Sequence, residues 1–244
     1  MTMSDAAELA LRIGDDALIA AQRLAEWSAH APDMEEDIAL SNIALDQLGV
    51  ARLVLSTVGD EDELAFRRED GEFRNCLLVE LPNGDFAFTM AKLFFHSAYQ
   101  YGLYEALTRS TDATLAAVGA KARKESSYHL DHATQWTLRL GDGTENSHRR
   151  MQSAVDEAWP YTHELFVDDD LAVRLAGSGG VPLPSGRRTT WLSTVESVLA
   201  RATLTRPADG WAPRGGRSGQ HTEHLSYLLG EMQVLHRAHP GAVW

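Results

Sequence analysis

Cysteine is almost missing from this 244-residue chain: Cys76 stands alone. One thiol closes no internal disulfide, so a disulfide-stapled secreted scaffold is excluded. No apolar run approaches the roughly 20 residues that span a bilayer. The opening residues, Met1-Thr-Met-Ser-Asp-Ala-Ala-Glu8, are polar and acidic and lack the basic and apolar regions of a signal peptide. A cytoplasmic protein with no membrane partner is expected. Gly-x-Gly-x-x-Gly and P-loop patterns are absent, as are repeats and low-complexity tracts. Basic charge is short: 22 basic against 35 acidic residues leave −13. A surface of that sign does not attract nucleic acid or anionic lipid as a whole. The clusters Arg67-Arg68-Arg74, Arg187-Arg188 and Arg214-Arg217 read as solvated loop charges, unless an anionic ligand or acidic partner uses one.

What is present is helical periodicity. Helices are predicted over about 5–29, 35–57, 85–108, 112–140, 146–167, 189–206 and 222–238, with glycine and proline between them. Asp33 with Glu36 starts the second helix, and Ser110 or Asp112 caps the fourth. The segment 59–84 reads as a long irregular loop. Four long helices fit an antiparallel bundle. The expected fold is all-α and ferritin-like, a single domain over 1–244 with its core bundle over about 5–140 and further helices over about 146–239.

The second helix is apolar nearly all round, which predicts burial. A polar stripe of Glu35, Asn42, Asp46 and Gly49 interrupts it. On the fourth helix Glu125 and His129 interrupt the apolar row Leu115, Val118, Ala122, Ala133, Trp136 and Leu140, so both are expected to point inward. Inward carboxylates and imidazoles are how a ferritin-like bundle holds two irons. Such a site takes one carboxylate from each of two helices and Glu-x-x-His from each of the other two. That spacing sets both donors on one face. Here both frames fail. Glu125-x-x-Tyr128 has a phenol in the histidine place, and Ser126-x-x-His129 has a hydroxyl in the glutamate place. The second helix supplies no histidine near Asp46. The third has no carboxylate before Glu105, and the first offers only Asp15, Asp16 and Glu26. Asp46, Glu125 and His129 therefore read as the remnant of a di-iron site, with no metal held by this chain. Lys92 is positioned to neutralise remaining acids, or else is exposed.

Other chemistries are weaker. Cys76 has no recognisable basic partner, and His221-Thr-Glu-His224 reads as capping and packing before it reads as a metal pair. Trp136, Trp159, Trp191 and Tyr99, Tyr101 and Tyr104 read as core or interface anchors. From these residues three readings stay open: a non-catalytic subunit of an oxygenase, an active di-metal oxidase using Asp46, Glu125, His129 and His132, or a helical interaction module.

Several longer motifs carry a resemblance. Arg12-Ile-Gly-Asp15, Gln22-Arg-Leu-Ala-Glu-Trp27, His30-Ala-Pro32, Asn42-Ile-Ala-Leu-Asp46, Leu48-Gly49, Asn75-x-Leu-Leu-Val-Glu80, Pro82-Asn-Gly84, Lys124-Glu-x-x-Tyr-His129 and Gly215-Gly-x-x-Gly-x-His-Thr-Glu-His-Leu225 resemble the C-subunit family of bacterial phenylacetyl-CoA epoxidase, from about residue 8 to Trp244. The resemblance implies a ferritin-like, non-catalytic subunit without cofactors of its own. It implies pairing with a homologous catalytic A subunit that holds the di-iron centre. A reductase carrying FAD and an iron–sulfur cluster would feed that centre, and the complex would place one oxygen atom of O2 on the ring of phenylacetyl-CoA. The same resemblance implies that Phe73, Arg74 and Asn75 lie beside substrate, Arg74 meeting a CoA phosphate. An apolar face meant for the partner would make the chain alone a homodimer.

Overall fold

The computed structural model describes residues 3–242; Met1 and Thr2 of the polar start, and Trp244, lie outside the described residues. The chain is all-α, as expected for a ferritin-like protein, with no strand among the described residues. Its helices are α1 (Asp5–Ala25), α2 (Met34–Leu55), α3 (Glu61–Phe66), α4 (Leu77–Glu80), α5 (Phe86–Leu107), α6 (Ala113–Gly141), α7 (Glu145–Ala158), α8 (Asp170–Gly177), α9 (Pro184–Arg201) and α10 (Glu223–Ala238). Short 3-10 turns lie at Asp70–Glu72, Trp159–Phe166 and Gly216–Ser218.

Local chemistry sets the boundaries. Asp33 caps α2 by accepting from the Glu36 N–H, and Asp112 caps α6 by accepting from Thr114 and Leu115. Asp85 does the same for α5 through Phe88, just after the Pro82-Asn83-Gly84 turn. The expected irregular loop over 59–84 contains α3, a 3-10 turn and α4. Six and four residues are too few for a 3.6-residue period to show.

The chain divides into two compact units. Unit 1 is residues 1–82 with 214–244, and unit 2 is residues 83–213. Within unit 1, α1 packs on α2, and α10 packs on α3 and α4. Within unit 2, α5 packs on α6, α7 and α9. The core of unit 2 is aromatic. Phe95 meets Trp159 edge-on at 5.7 Å, and Phe166 lies 5.1 Å from Trp191. Trp159, Trp191, Tyr99 and Tyr104 are buried, as expected of anchors, whereas Tyr101 reaches the surface and Trp136 is half-buried.

Helix α2 departs from expectation. It passes as a membrane-spanning candidate by length and composition, so the view that no segment does is corrected. It carries Glu35, Glu36, Asp37, Asp46 and Arg52 along its length, charges that are costly in hydrocarbon. Nor is it buried all round. Met34, Ile38, Leu45 and Leu48 are 71%, 57%, 64% and 38% exposed. Of the polar stripe, Glu35, Asn42 and Gly49 are exposed and only Asp46 is half-buried. Periodicity cannot tell which of two apolar faces the core takes.

Candidate functional site

The motifs that stand out in the sequence meet in unit 1 as one buried polar clasp. Adjacent acids on α1, Asp15 and Asp16, are 0% and 4% exposed. Buried carboxylates need partners, and two arginines supply them. Arg68 donates to both oxygens of Asp15, at 3.0 and 2.5 Å, and the Arg74 backbone N–H adds a bond of 2.8 Å. Arg217 grips Asp16 with both terminal nitrogens, at 2.9 and 2.7 Å, and the Cys76 N–H donates at 2.7 Å. Burial pushes the Asp15 carboxyl above its ordinary value, against the pull of Arg68 and the Arg74 N–H. Arg68 and Arg217 are thus structural counter-ions, which corrects their reading as solvated charges.

Glu80, at the end of α4, is 0% exposed. It accepts from the Asn75 side chain at 2.8 Å and the Thr222 N–H at 2.7 Å, and its oxygen lies 2.7 Å from His221 Nδ1. His221 Nε2 is 3.1 Å from the Phe73 carbonyl. Both ring nitrogens face acceptors, and only the imidazolium donates to both. Arg23 closes the array by donating to the carbonyls of Glu80 and His224.

The glycines of the Gly215-Gly-x-x-Gly-x-His motif have a steric reason. A Cβ on Gly216 would sit 2.3 Å from the Asn75 carbonyl oxygen. One on Gly219, where φ is +79°, would sit 2.2 Å from that of Gly71. The motif is a backbone clasp on the 71–76 strip, and His221 of the His-Thr-Glu-His run packs against Glu80, as the packing reading expects.

This clasp relocates the residues expected beside substrate. Phe73 and Asn75 are both 0% exposed, so neither has surface for a ligand. Phe73 lies under the Arg68 guanidinium at 4.1 Å, and Asn75 holds Glu80. Arg74 alone is half-buried, its guanidinium donating to the carbonyls of Gly71 and Phe73.

In unit 2, α6 resolves which ligand frame faces inward. Ser126 and His129 are 1% and 3% exposed, Tyr128 is 64% exposed, and Glu125 is half-buried. The inner line runs Ala122, Ser126, His129, Ala133, Thr137, so Trp136 and Leu140 fall to its edge with Glu125. The inward frame is therefore Ser126-x-x-His129, with serine in the carboxylate place. That hydroxyl donates to the Arg123 carbonyl at 3.0 Å. Helix α5 carries a buried polar row of Thr89, Lys92, His96 and Gln100, again without a carboxylate of its own. Lys92 is 7% exposed, which overturns the exposed alternative; its ammonium donates to Asn83 at 3.4 Å and lies 5.7 Å from the Phe88 ring centre. His96 escaped the sequence reading because a lone histidine in an apolar helix carries no spacing signal.

Among the described residues the buried acids are Asp15, Asp16, Glu80 and Glu164. The first three are committed to arginines, histidine or amides in unit 1. Asp46 and Glu125 are half-buried, and His132 lies one turn beyond His129. This donor set does not fit a carboxylate-bridged di-iron centre.

The phenylacetic acid catabolic protein family, whose model covers the PaaA and PaaC proteins, matches residues 1–244. The C subunit of 1,2-phenylacetyl-CoA epoxidase from Escherichia coli (strain K12) is 45% identical over 240 residues, covering 96% of this chain and 97% of that protein. The chain belongs to the phenylacetic acid catabolic protein family.

Proposed function

We propose that this member of the family is the supporting C-type subunit of a cytoplasmic phenylacetyl-CoA epoxidase, non-catalytic by itself. Its partner is a catalytic A-type subunit that holds the two irons, with electrons arriving from a separate reductase carrying FAD and an iron–sulfur cluster. The observation that carries this reading is the inner face of α6. Ser126 stands where a bridging or terminal carboxylate would, and α5 offers Lys92, His96 and Gln100 but no acid. Two irons need about six donors including bridging carboxylates, and these two helices supply too few.

A supporting subunit needs a face for its partner. The exposed residues of α2, Met34, Ile38, Leu45 and Leu48, follow the 4-7-3 spacing of a single helix seam, with Arg52 at its end. An exposed apolar row on one helix is suited to another helix, and the A-type subunit is the occupant assigned to it. Of the residues expected near substrate, Arg74 is the one with surface left to meet a CoA phosphate.

Iron analysis of the purified chain, alone and co-expressed with an A-type subunit, tests the reading. Iron near zero alone and near two per heterodimer is expected. Two irons in the isolated chain would instead make it a di-metal oxidase. Leu45→Asp should abolish co-purification of the partner while leaving the melting temperature of the isolated chain unchanged within error; retained partner binding would remove α2 from the interface.

A further inference from the structure

Unit 2 contains a cavity of about 660 Å3 that neither the ligand helix nor the clasp accounts for. Its walls come from α5, α9 and the glycine-rich loop before α9, with single residues from α6, α8 and the Trp159–Phe166 turn. That volume lies in the range of small-molecule sites. The apolar side is built from Leu130, Phe166 and Trp191. Trp191 spends its indole N–H on the Phe95 carbonyl at 3.1 Å, so it presents carbon to the cavity.

Four glycines line the same space, two of them within helices. Gly102 lies in the interior of α5 and Gly186 in the first turn of α9. A Cβ at either would meet nothing within 4 Å. Glycine inside a helix is less stable than alanine, and no neighbour in the chain demands it here. The bare wall at these two points leaves room for a bound molecule.

The charge on the wall identifies the visitor. Arg187 lines the cavity, donating one terminal nitrogen to the Pro182 carbonyl at 3.1 Å and hydrogen-bonding Tyr99. Its Nε–H is closed to solvent and has no acceptor. Burial lowers the guanidinium from its ordinary value, against the pull of Tyr99 and Asp168, and leaves it cationic and under-solvated at neutral pH. Glu105 and Arg109 also reach the cavity, but Glu105 is already held by Arg109 at 2.8 Å and by Arg123. The local balance is cationic in a chain of net charge −13.

We propose that this cavity is a binding site for a small aromatic carboxylate, its ring against Phe166 and Trp191 over Gly102 and its carboxylate paired with Arg187. The planar guanidinium matches a carboxylate in shape and charge, and the aromatic walls match a flat ring. The site is separate from the ligand helix frame, so it stands whether or not the chain is a supporting subunit.

The test uses the full chain and two probes of equal size, phenylacetate and phenylacetamide, titrated by ligand-observed NMR and by the fluorescence of the tryptophans. Phenylacetate is expected to bind saturably, with Kd of about 1 mM or tighter, and at least about tenfold tighter than the amide. Arg187→Met should erase that preference. Gly102→Leu should block both probes without lowering the melting temperature, because the side chain enters open space and leucine favours helix over glycine. Equal affinity for acid and amide, unchanged binding in Gly102→Leu, or no saturable binding of phenylacetate up to about 10 mM would each overturn the proposal.

Discussion

The two units are stabilised by opposite chemistries. Unit 1 encloses Asp15, Asp16 and Glu80, each answered by Arg68, Arg217 or His221. Unit 2 encloses Phe94, Phe95, Trp159 and Trp191; it also buries Lys92 and Glu164, but its arginine–carboxylate pairs, such as Arg188 with Asp209, lie at its surface. Aromatic packing tolerates change of shape gradually, whereas a buried ion pair that loses one member leaves an uncompensated charge. The residues that stand out in unit 1 by their chemistry are therefore the ones its fold cannot lose, and their conspicuousness is no evidence of catalysis.

The sharpest way to break this contrast is to remove one member of a pair. Arg217→Met should cost unit 1 about 3–5 kcal/mol in equilibrium urea unfolding. Adding Asp16→Leu should return most of that loss, because an apolar pair of similar volume replaces the buried charges. Phe95→Ala in unit 2 should cost a similar 3–5 kcal/mol through transfer and cavity terms. No second truncation rescues a cavity, so Phe95→Ala with Trp159→Phe should be no more stable than Phe95→Ala alone. Rescue in unit 2, or none in unit 1, would dissolve the distinction.

Smaller effects sharpen it. Gly219→Ala should cost about 1–3 kcal/mol from the positive φ alone, and more from the approach to the Gly71 carbonyl. Thermal unfolding should show the loss, and Gly210→Ala, in open space, should show none. The smallest effect belongs to Asp209, which accepts from Arg188 at 2.9 Å and Trp159 at 3.2 Å and pairs with His163 at 3.1 Å. Partial burial raises its carboxyl, but Arg188 and His163 outweigh this and hold it below the ordinary 3.8. A depressed acid adds stability above its unfolded pKa and loses it as pH falls through the folded value. Asp209→Asn should therefore cost no more than about 1 kcal/mol at pH 6, since the group is half-exposed, and nothing once pH drops below that lowered value. Asp15 has the opposite sign: raised by burial, it favours folding less as pH rises above 3.8. A pH-independent difference between Asp209→Asn and the parent chain would remove the carboxylate from the account.

Much of this was legible in the residues. The capping aspartates Asp33 and Asp112 marked the starts of α2 and α6, and the third predicted helix, 85–108, is α5 at Phe86–Leu107. The incomplete ligand spacing on α6 was also readable, because it is a local property. Other features were not. Whether Glu125 or Ser126 faces inward depends on a rotation of one residue, about 100° on a helix, and the apolar row around them fits either. The partners of Asp15 and Asp16 lie 53 and 201 residues away, at Arg68 and Arg217. Two acids side by side on a helix carry no local sign of which distant cations will meet them.

Sequence by itself determined the all-α class, the starts of α2, α5 and α6 and the incomplete ligand spacing on α6, because these follow from periodicity, capping and spacing within one segment. Only the tertiary structure decided that Phe73 and Asn75 are buried supports and that α2 shows an apolar face to solvent. It alone gathered the residues around the cavity lined by Arg187. Burial and charge pairing join segments far apart in the chain, and no local pattern records which segments will meet.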